Sequence, residues 1–194
     1  MEARMTKRLL ASLGVLGALA ASPALAHTGI GHASGLEAGL AHPFLGADHL
    51  LAMLSVGIWS ALAAPRRAWL TPLAFVTAMI AGAGLSFVGA GFPGVESMIA
   101  ASVLVFGLMI VAGARLPFAV GTALVGLFAI FHGHAHASEA TGAMLAYIAG
   151  FAVSTAAIHM AGIGIGLSAA RATWLRYGLG LVVAGTGMAM LTGA

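Results

Sequence analysis

The chain has 194 residues, of which 61% are hydrophobic and 7% charged, against about a quarter charged in a typical soluble domain. That composition excludes a water-soluble fold. Eight Lys and Arg stand against five acids, but three of the eight (Arg4, Lys7 and Arg8) lie in the first eight residues, so no nucleic-acid partner is expected; with no cysteine, disulfides and thiolate metal ligands are excluded as well.

Arg4, Lys7 and Arg8 form a basic n-region, Leu9 to Ala20 an apolar stretch, and Ala24-Leu25-Ala26 a small-residue cleavage site after Pro23. Residues 1–26 are expected to be a cleavable signal peptide, leaving 27–194 as a single membrane domain that starts at His27. The alternative is an uncleaved first span. Apolar runs then recur, each close to the roughly 20 residues that a bilayer core requires. Spans are expected near Leu45 to Ala63, Leu70 to Val88, Ser97 to Val111, Leu116 to His132, Ala140 to Leu167 and Trp174 to Leu191. Pro65, the Gly89 to Gly94 stretch with Pro93, Gly113 with Pro117, and the polar run after His132 supply the breaks. The expected fold class is an all-α polytopic membrane protein with about six transmembrane helices.

Orientation follows from the remaining arginines. Arg66 and Arg67 follow the first span, Arg115 the third, and Arg171 and Arg176 lie around the fifth-to-sixth connection. The positive-inside rule puts these connections in the cytoplasm and both mature termini in the periplasm of a bacterial inner membrane. Trp69, Trp174 and Tyr177 then sit where inner interface anchors belong. Six spans divide into three plus three of inverted orientation, as in many transporters, although the residues show no convincing internal repeat.

Function is expected in the polar residues that such a chain tolerates, because an ionisable group at a helix centre costs about 2.5–3.5 kcal/mol on insertion scales. One cluster, His42-Pro43-Phe44-Leu45-Gly46-Ala47-Asp48-His49, stands at the outer entry to the first span. Pro43 keeps His42 out of helical geometry, so His42 is read on a lead-in and Asp48 and His49 in the first turns of the helix, near enough to share an ion. Met53, one turn below His49, offers a soft ligand. A second cluster, His132-Gly133-His134-Ala135-His136-Ala137-Ser138-Glu139, ends the fourth span. Helical spacing would bring His132, His136 and Glu139 to one face; otherwise the segment is a flexible His-rich loop. Both clusters lie on the outer side and can converge. The bland readings are a solvated helix-end charge for the first and an interfacial polar loop for the second. His159, inside the fifth span, is either a station on an inward path or a histidine hydrogen-bonded to a neighbouring helix. His27 and His32 are tail residues by default, although a free amine beside His27 can capture a divalent ion.

Imidazole plus carboxylate suits nickel, cobalt or zinc, whereas calcium and magnesium prefer all-oxygen shells and Cu(I) prefers sulfur. The chain resembles the HupE/UreJ family of nickel permeases. The resemblance is carried by His42, five residues, Asp48-His49, continuing to Met53 as HPxxGxDHxxxM, then Phe131-His132-Gly133 ending in Glu139, with the His-Thr-Gly start at His27 and the small-residue-rich fifth span. The family's second pattern reads FHGxAxGxE, and this chain has Ala137 where the second glycine is expected. The resemblance implies uptake of nickel, in some members cobalt, to supply hydrogenase or urease, with His42, Asp48, His49, His132 and Glu139 essential. His134 and His136 fall at variable positions and are extras that enrich local metal.

The expected activity is secondary permeation of Ni2+ or Co2+ as substrate, with no permanently bound cofactor and the lipid bilayer as surroundings; the oligomeric state is not readable. An inside-negative potential favours a double charge by about 4.6 kcal/mol per 100 mV, and no nucleotide-binding motif is present. The alternatives are an intramembrane zinc-dependent hydrolase and a non-transporting metal-binding accessory subunit.

Overall fold

A backbone surrounded by hydrocarbon must satisfy its own N–H and C=O groups, and among the described residues the elements are all helical. The computed structural model describes residues 35–193. The expected signal peptide, His27 and His32 lie outside the described residues. A short helix α1 (Gly35–Ala41) runs into a 3-10 turn (His42–Phe44), followed by α2 (Ala47–Ala63), α3 (Leu70–Phe87), α4 (Val95–Ala112), α5 (Phe118–Ser138), α6 (Met144–Ala169) and α7 (Thr173–Thr192). Among the described residues five helices, α3 to α7, are long and apolar enough to cross a membrane. The bent pair Gly35–Phe44 and Ala47–Ala63, turned by 76° at its break, makes a sixth when taken as one span.

The side-chain distribution is that of a multi-pass membrane protein. Leu127, Val153, Leu145, Met160 and Leu181 face outwards, while His49, Ser55, Ser60, Thr71, Ser102, His132, His136, Thr155 and His159 are buried. Each expected span has a helix, with shifted ends. The largest shift is in α5, which continues six residues beyond His132 to Ser138. The His-rich run is therefore helical, because neither Gly133 nor any proline interrupts the hydrogen-bond ladder there.

What fixes the bundle is backbone-to-backbone contact at glycines. Helices associate in a bilayer through close packing, since lipid tails are as apolar as leucine. A methyl group built at Gly57 would overlap the His159 carbonyl oxygen, and one at Gly162 the Leu54 carbonyl, which joins α2 to α6. Gly82 meets the Ile130 carbonyl and Gly133 the Met79 carbonyl, joining α3 to α5; Gly107 and Gly187 join α4 to α7 in the same way. Gly39 and Gly150 seat α1 against the start of α6. Gly162 and Gly166 are four residues apart on the face towards α2, whereas Gly164 between them faces open space.

The five arginines after residue 35 all fall at one end of the bundle, four in the α2–α3, α4–α5 and α6–α7 connections and Arg176 in the first turn of α7. Side-chain contacts tie the segments together there. The Trp59 indole N–H donates to the Gly113 carbonyl (3.3 Å), its ring stacks on Phe118, Ser60 donates to the Ala68 carbonyl (2.8 Å), and Thr71 and Thr122 share a hydrogen bond (3.1 Å). The histidine motifs lie at the opposite end.

The crossings predict a contrast between neighbouring glycines. Gly162→Val or Gly133→Val costs at least the roughly 1–3 kcal/mol of an overpacked contact, lowering the melting temperature of the detergent-solubilised protein by several degrees. Gly164 faces open space, and glycine is the poorer helix former, so Gly164→Val leaves the melting temperature unchanged or slightly raised, by a propensity gain of below about 1 kcal/mol.

Candidate metal centre

The break after Phe44 sets up the site. Pro43 at the start of the 3-10 turn and the extended backbone of Gly46 end one helical segment and begin another. His42 sits on the lead-in and Asp48 and His49 in the first turn of α2, with their imidazoles folded to 6.0 Å between ring centroids. Gly46 leaves room for this arrangement: a Cβ there would come within 2.6 Å of the Asp48 carboxylate and 3.3 Å of the His49 Nδ1. Helix α5 brings its last turns alongside, and α6 closes the site with Tyr147 and Phe151.

His42, His49 and His136 each offer a nitrogen, and all three lie within 4.8 Å of one another. The His136 ring is 4.8 Å from that of His42, 4.7 Å from that of His49 and stacked on Phe151 at 4.7 Å. His132, one turn deeper on α5, has its ring 5.0 Å from that of His49, and its Nε2 shares a hydrogen bond with the Ser102 hydroxyl (2.9 Å).

The two carboxylates act on imidazoles. The Asp48 Oδ1 lies 2.8 Å from the His49 Nδ1 and also accepts the His49 backbone N–H at 2.7 Å. An ionised carboxylate only accepts, so Nδ1 carries the proton and the buried Nε2, which has no hydrogen-bond partner, presents a lone pair. Glu139, at the end of α5, holds the His42 Nε2 at 3.1 Å and so frees the His42 Nδ1 in the same way. That hydrogen bond from His42 keeps the Glu139 carboxyl below its ordinary value. Carboxylates that orient and polarise metal-binding histidines are a recurrent outer layer of metal sites.

Exposure falls steadily inwards. The Glu139 side chain is 52% exposed, Asp48 28%, His42 20% and His49 10%, and His132, His136 and His159 are fully buried. Four imidazole nitrogens at this end (His49 Nε2, His132 Nδ1 and both of His136) are buried without a hydrogen-bond partner. Each such orphan costs about 1–3 kcal/mol, and a divalent cation is the kind of ligand that would satisfy several together.

The structure therefore brings together His42, His49, His132, His136 and Glu139, with Asp48 on the His49 ring instead of among the converging nitrogens. His134 is directed elsewhere: its Nε2 meets the Ala90 carbonyl at 2.8 Å and its ring packs on Phe92. His136, which the family pattern leaves variable, stands at the centre. Met53 is buried in the core below. His159 lies deeper in α6, beyond Phe75. Sequence reasoning missed Ser102, Tyr147 and Phe151. Each occupies an ordinary apolar helix, and only the packing of α4 and α6 against the histidines distinguishes them.

A sequence model of the HupE / UreJ protein family matches residues 15–190. Protein HupE of Rhizobium leguminosarum bv. viciae is 41% identical over 152 residues, covering 75% of this chain and 78% of that protein. No solved structure matches. With its helical membrane architecture and its paired histidine motifs, this chain belongs to the HupE/UreJ family.

Proposed function

We propose that the protein is a permease, not an enzyme, that admits a divalent transition-metal ion, nickel or cobalt, across the inner membrane to supply a metalloenzyme such as hydrogenase or urease. The carrying observation is the convergence of the His42, His49 and His136 nitrogens within 4.8 Å, with Asp48 and Glu139 orienting two of the rings. Neutral imidazoles with carboxylates behind them suit borderline divalent metals. The two negative charges offset the double charge of the ion. Family membership supports the same reading.

The site faces the periplasm in this reading, with both mature termini on that side and the arginine-bearing connections in the cytoplasm. An arriving ion meets Glu139 and His42 first and gives up water to His49 and His136. It is then drawn inwards by the membrane potential. His132 stands next in line, held by Ser102. Ring centroids only 4.7–6.0 Å apart fit one ion and leave no slot for a porphyrin between the histidines, which counts against a haem-bearing accessory subunit.

Nickel uptake into cells lacking their own importers, at matched membrane expression, tests the site. Wild type accumulates nickel; His49→Ala and His136→Ala fall to background, and His134→Ala retains uptake. Asp48→Asn and Glu139→Gln weaken apparent metal affinity by about 10–100-fold, as removal of an orienting carboxylate does elsewhere. Undiminished uptake in every variant would retain a transporter and remove this site. Failure of wild type with both nickel and cobalt in energised cells would sink the transport reading.

Binding is also expected to depend on pH in one direction. Imidazole ligates only when neutral, so nickel affinity of the purified protein weakens as the solution is acidified, with protons competing for the ligand nitrogens. The hydrogen bond from His42 holds the Glu139 carboxyl below its ordinary value, so it stays ionised under mildly acidic conditions. Its contribution with His42 is present at neutral pH and is lost only on further acidification through its lowered value. Calorimetric titration in buffers of different ionisation enthalpy measures both the affinity and the proton count.

A further inference from the structure

Two of the three principal helix crossings, α2 on α6 and α3 on α5, are one crossing used twice. Gly57 of α2 lies on the His159 carbonyl of α6, and Gly133 of α5 lies on the Met79 carbonyl of α3; Gly162 lies on the Leu54 carbonyl, and Gly82 on the Ile130 carbonyl. Positions 54 and 57 of α2 thus correspond to 130 and 133 of α5, an offset of 76. Positions 79 and 82 of α3 correspond to 159 and 162 of α6, an offset of 80. The outward-facing Gly84 and Gly164 obey the same offset, and α4 pairs with α7, its own counterpart. Three consecutive spans are an odd number, so the second set, α5 to α7, runs opposite to the first, α2 to α4.

In such inverted repeats the substrate site lies at the repeat interface near the bilayer midplane. Here the interface centre is a quartet on α3 and α6. Phe75 packs edge-on against His159 with ring centroids 4.9 Å apart, and the Thr155 hydroxyl reaches the Met79 sulfur at 3.9 Å. The offset of 80 converts one contact into the other, which places all four residues about the pseudo-two-fold axis. His159 is fully buried, and neither of its ring nitrogens has a hydrogen-bond partner among the described residues. A histidine there to tie neighbouring helices together would have one. Phe75 also touches the His132 ring, at 5.6 Å, so its ring bridges the outer imidazoles and His159.

We propose that His159, with the Met79 thioether, forms a second metal station on the pseudo-two-fold axis, taking a divalent transition-metal ion from the outer cluster past Phe75. Imidazole and thioether suit nickel and the softer divalent ions and give calcium or magnesium nothing to prefer. The inference rests on the transport reading above and supplies its mid-membrane step.

The test is nickel stoichiometry and nickel passage with the purified full chain in lipid. Wild type is expected to bind two nickel ions, and His159→Asn and Met79→Leu one. In proteoliposomes both variants load nickel at the outer cluster but accumulate little in the lumen. Binding of the outer ion in these variants reports that they are folded. A single ion in wild type, lost in His136→Ala and kept in His159→Asn, overturns the inner station and leaves the outer site intact. Lumenal accumulation by His159→Asn at the wild-type rate overturns it too. Binding of no ion by wild type removes the outer site and this inference together.

Discussion

Direct contact between helix backbones at glycine is the constraint on which the histidine cluster depends. Gly133 follows His132 and stands three residues before His136, and it lies on the Met79 carbonyl; without that approach α5 would stand further from α3, and His132 would lose its contact with Phe75. Gly57 does the same for α2 against α6, at the carbonyl of His159 itself. In a bilayer no hydrophobic drive compensates for a poor fit between helices. The imidazole geometry is therefore only as good as these crossings.

The polar chemistry follows from what those crossings enclose. An apolar interior makes unpaired nitrogens costly, and the protein keeps several of them. The two carboxylates stand at the outer end of the cluster, and each is committed to one nitrogen of one ring: Asp48 to His49 and Glu139 to His42. One nitrogen each of His42, His49 and His136 lies within 4.8 Å of the other two. At the opposite end Trp59, Ser60 and Thr71 spend their polar groups on hydrogen bonds between segments. The molecule is asymmetric from end to end, with the His42, His49, His132 and His136 imidazoles concentrated at one end and the arginines at the other.

Much of this was legible in the residues. Apolar runs of bilayer length gave the helices, alternate arginines ordered the connections, and the expense of burying ionisable groups singled out His42, Asp48, His49, His132, Glu139 and His159. The end of α5 was harder, because a polar run after a span reads equally as a loop. Its helical continuation depends on Gly133 being packed against α3 and not free. The repeat was also hidden. What the two halves share is which positions touch, through backbone atoms that carry no side-chain signature, and beyond pairs such as Ala81-Gly82 with Ala161-Gly162 the residues have diverged.

The sequence by itself determined the membrane class, the approximate spans and which polar side chains stand out as candidates, because those rest on composition, periodicity and the cost of burying charge, all of which are local. Only the tertiary structure decided which histidines meet. It turned His134 towards Ala90 and His136, two residues on, into the centre of the cluster, since residues two apart on a helix point to different faces. It set Asp48 behind His49, brought Ser102 to His132, and placed His159 on the axis between two halves. Each of these is a relation between helices, fixed by crossings at glycines far apart in the chain.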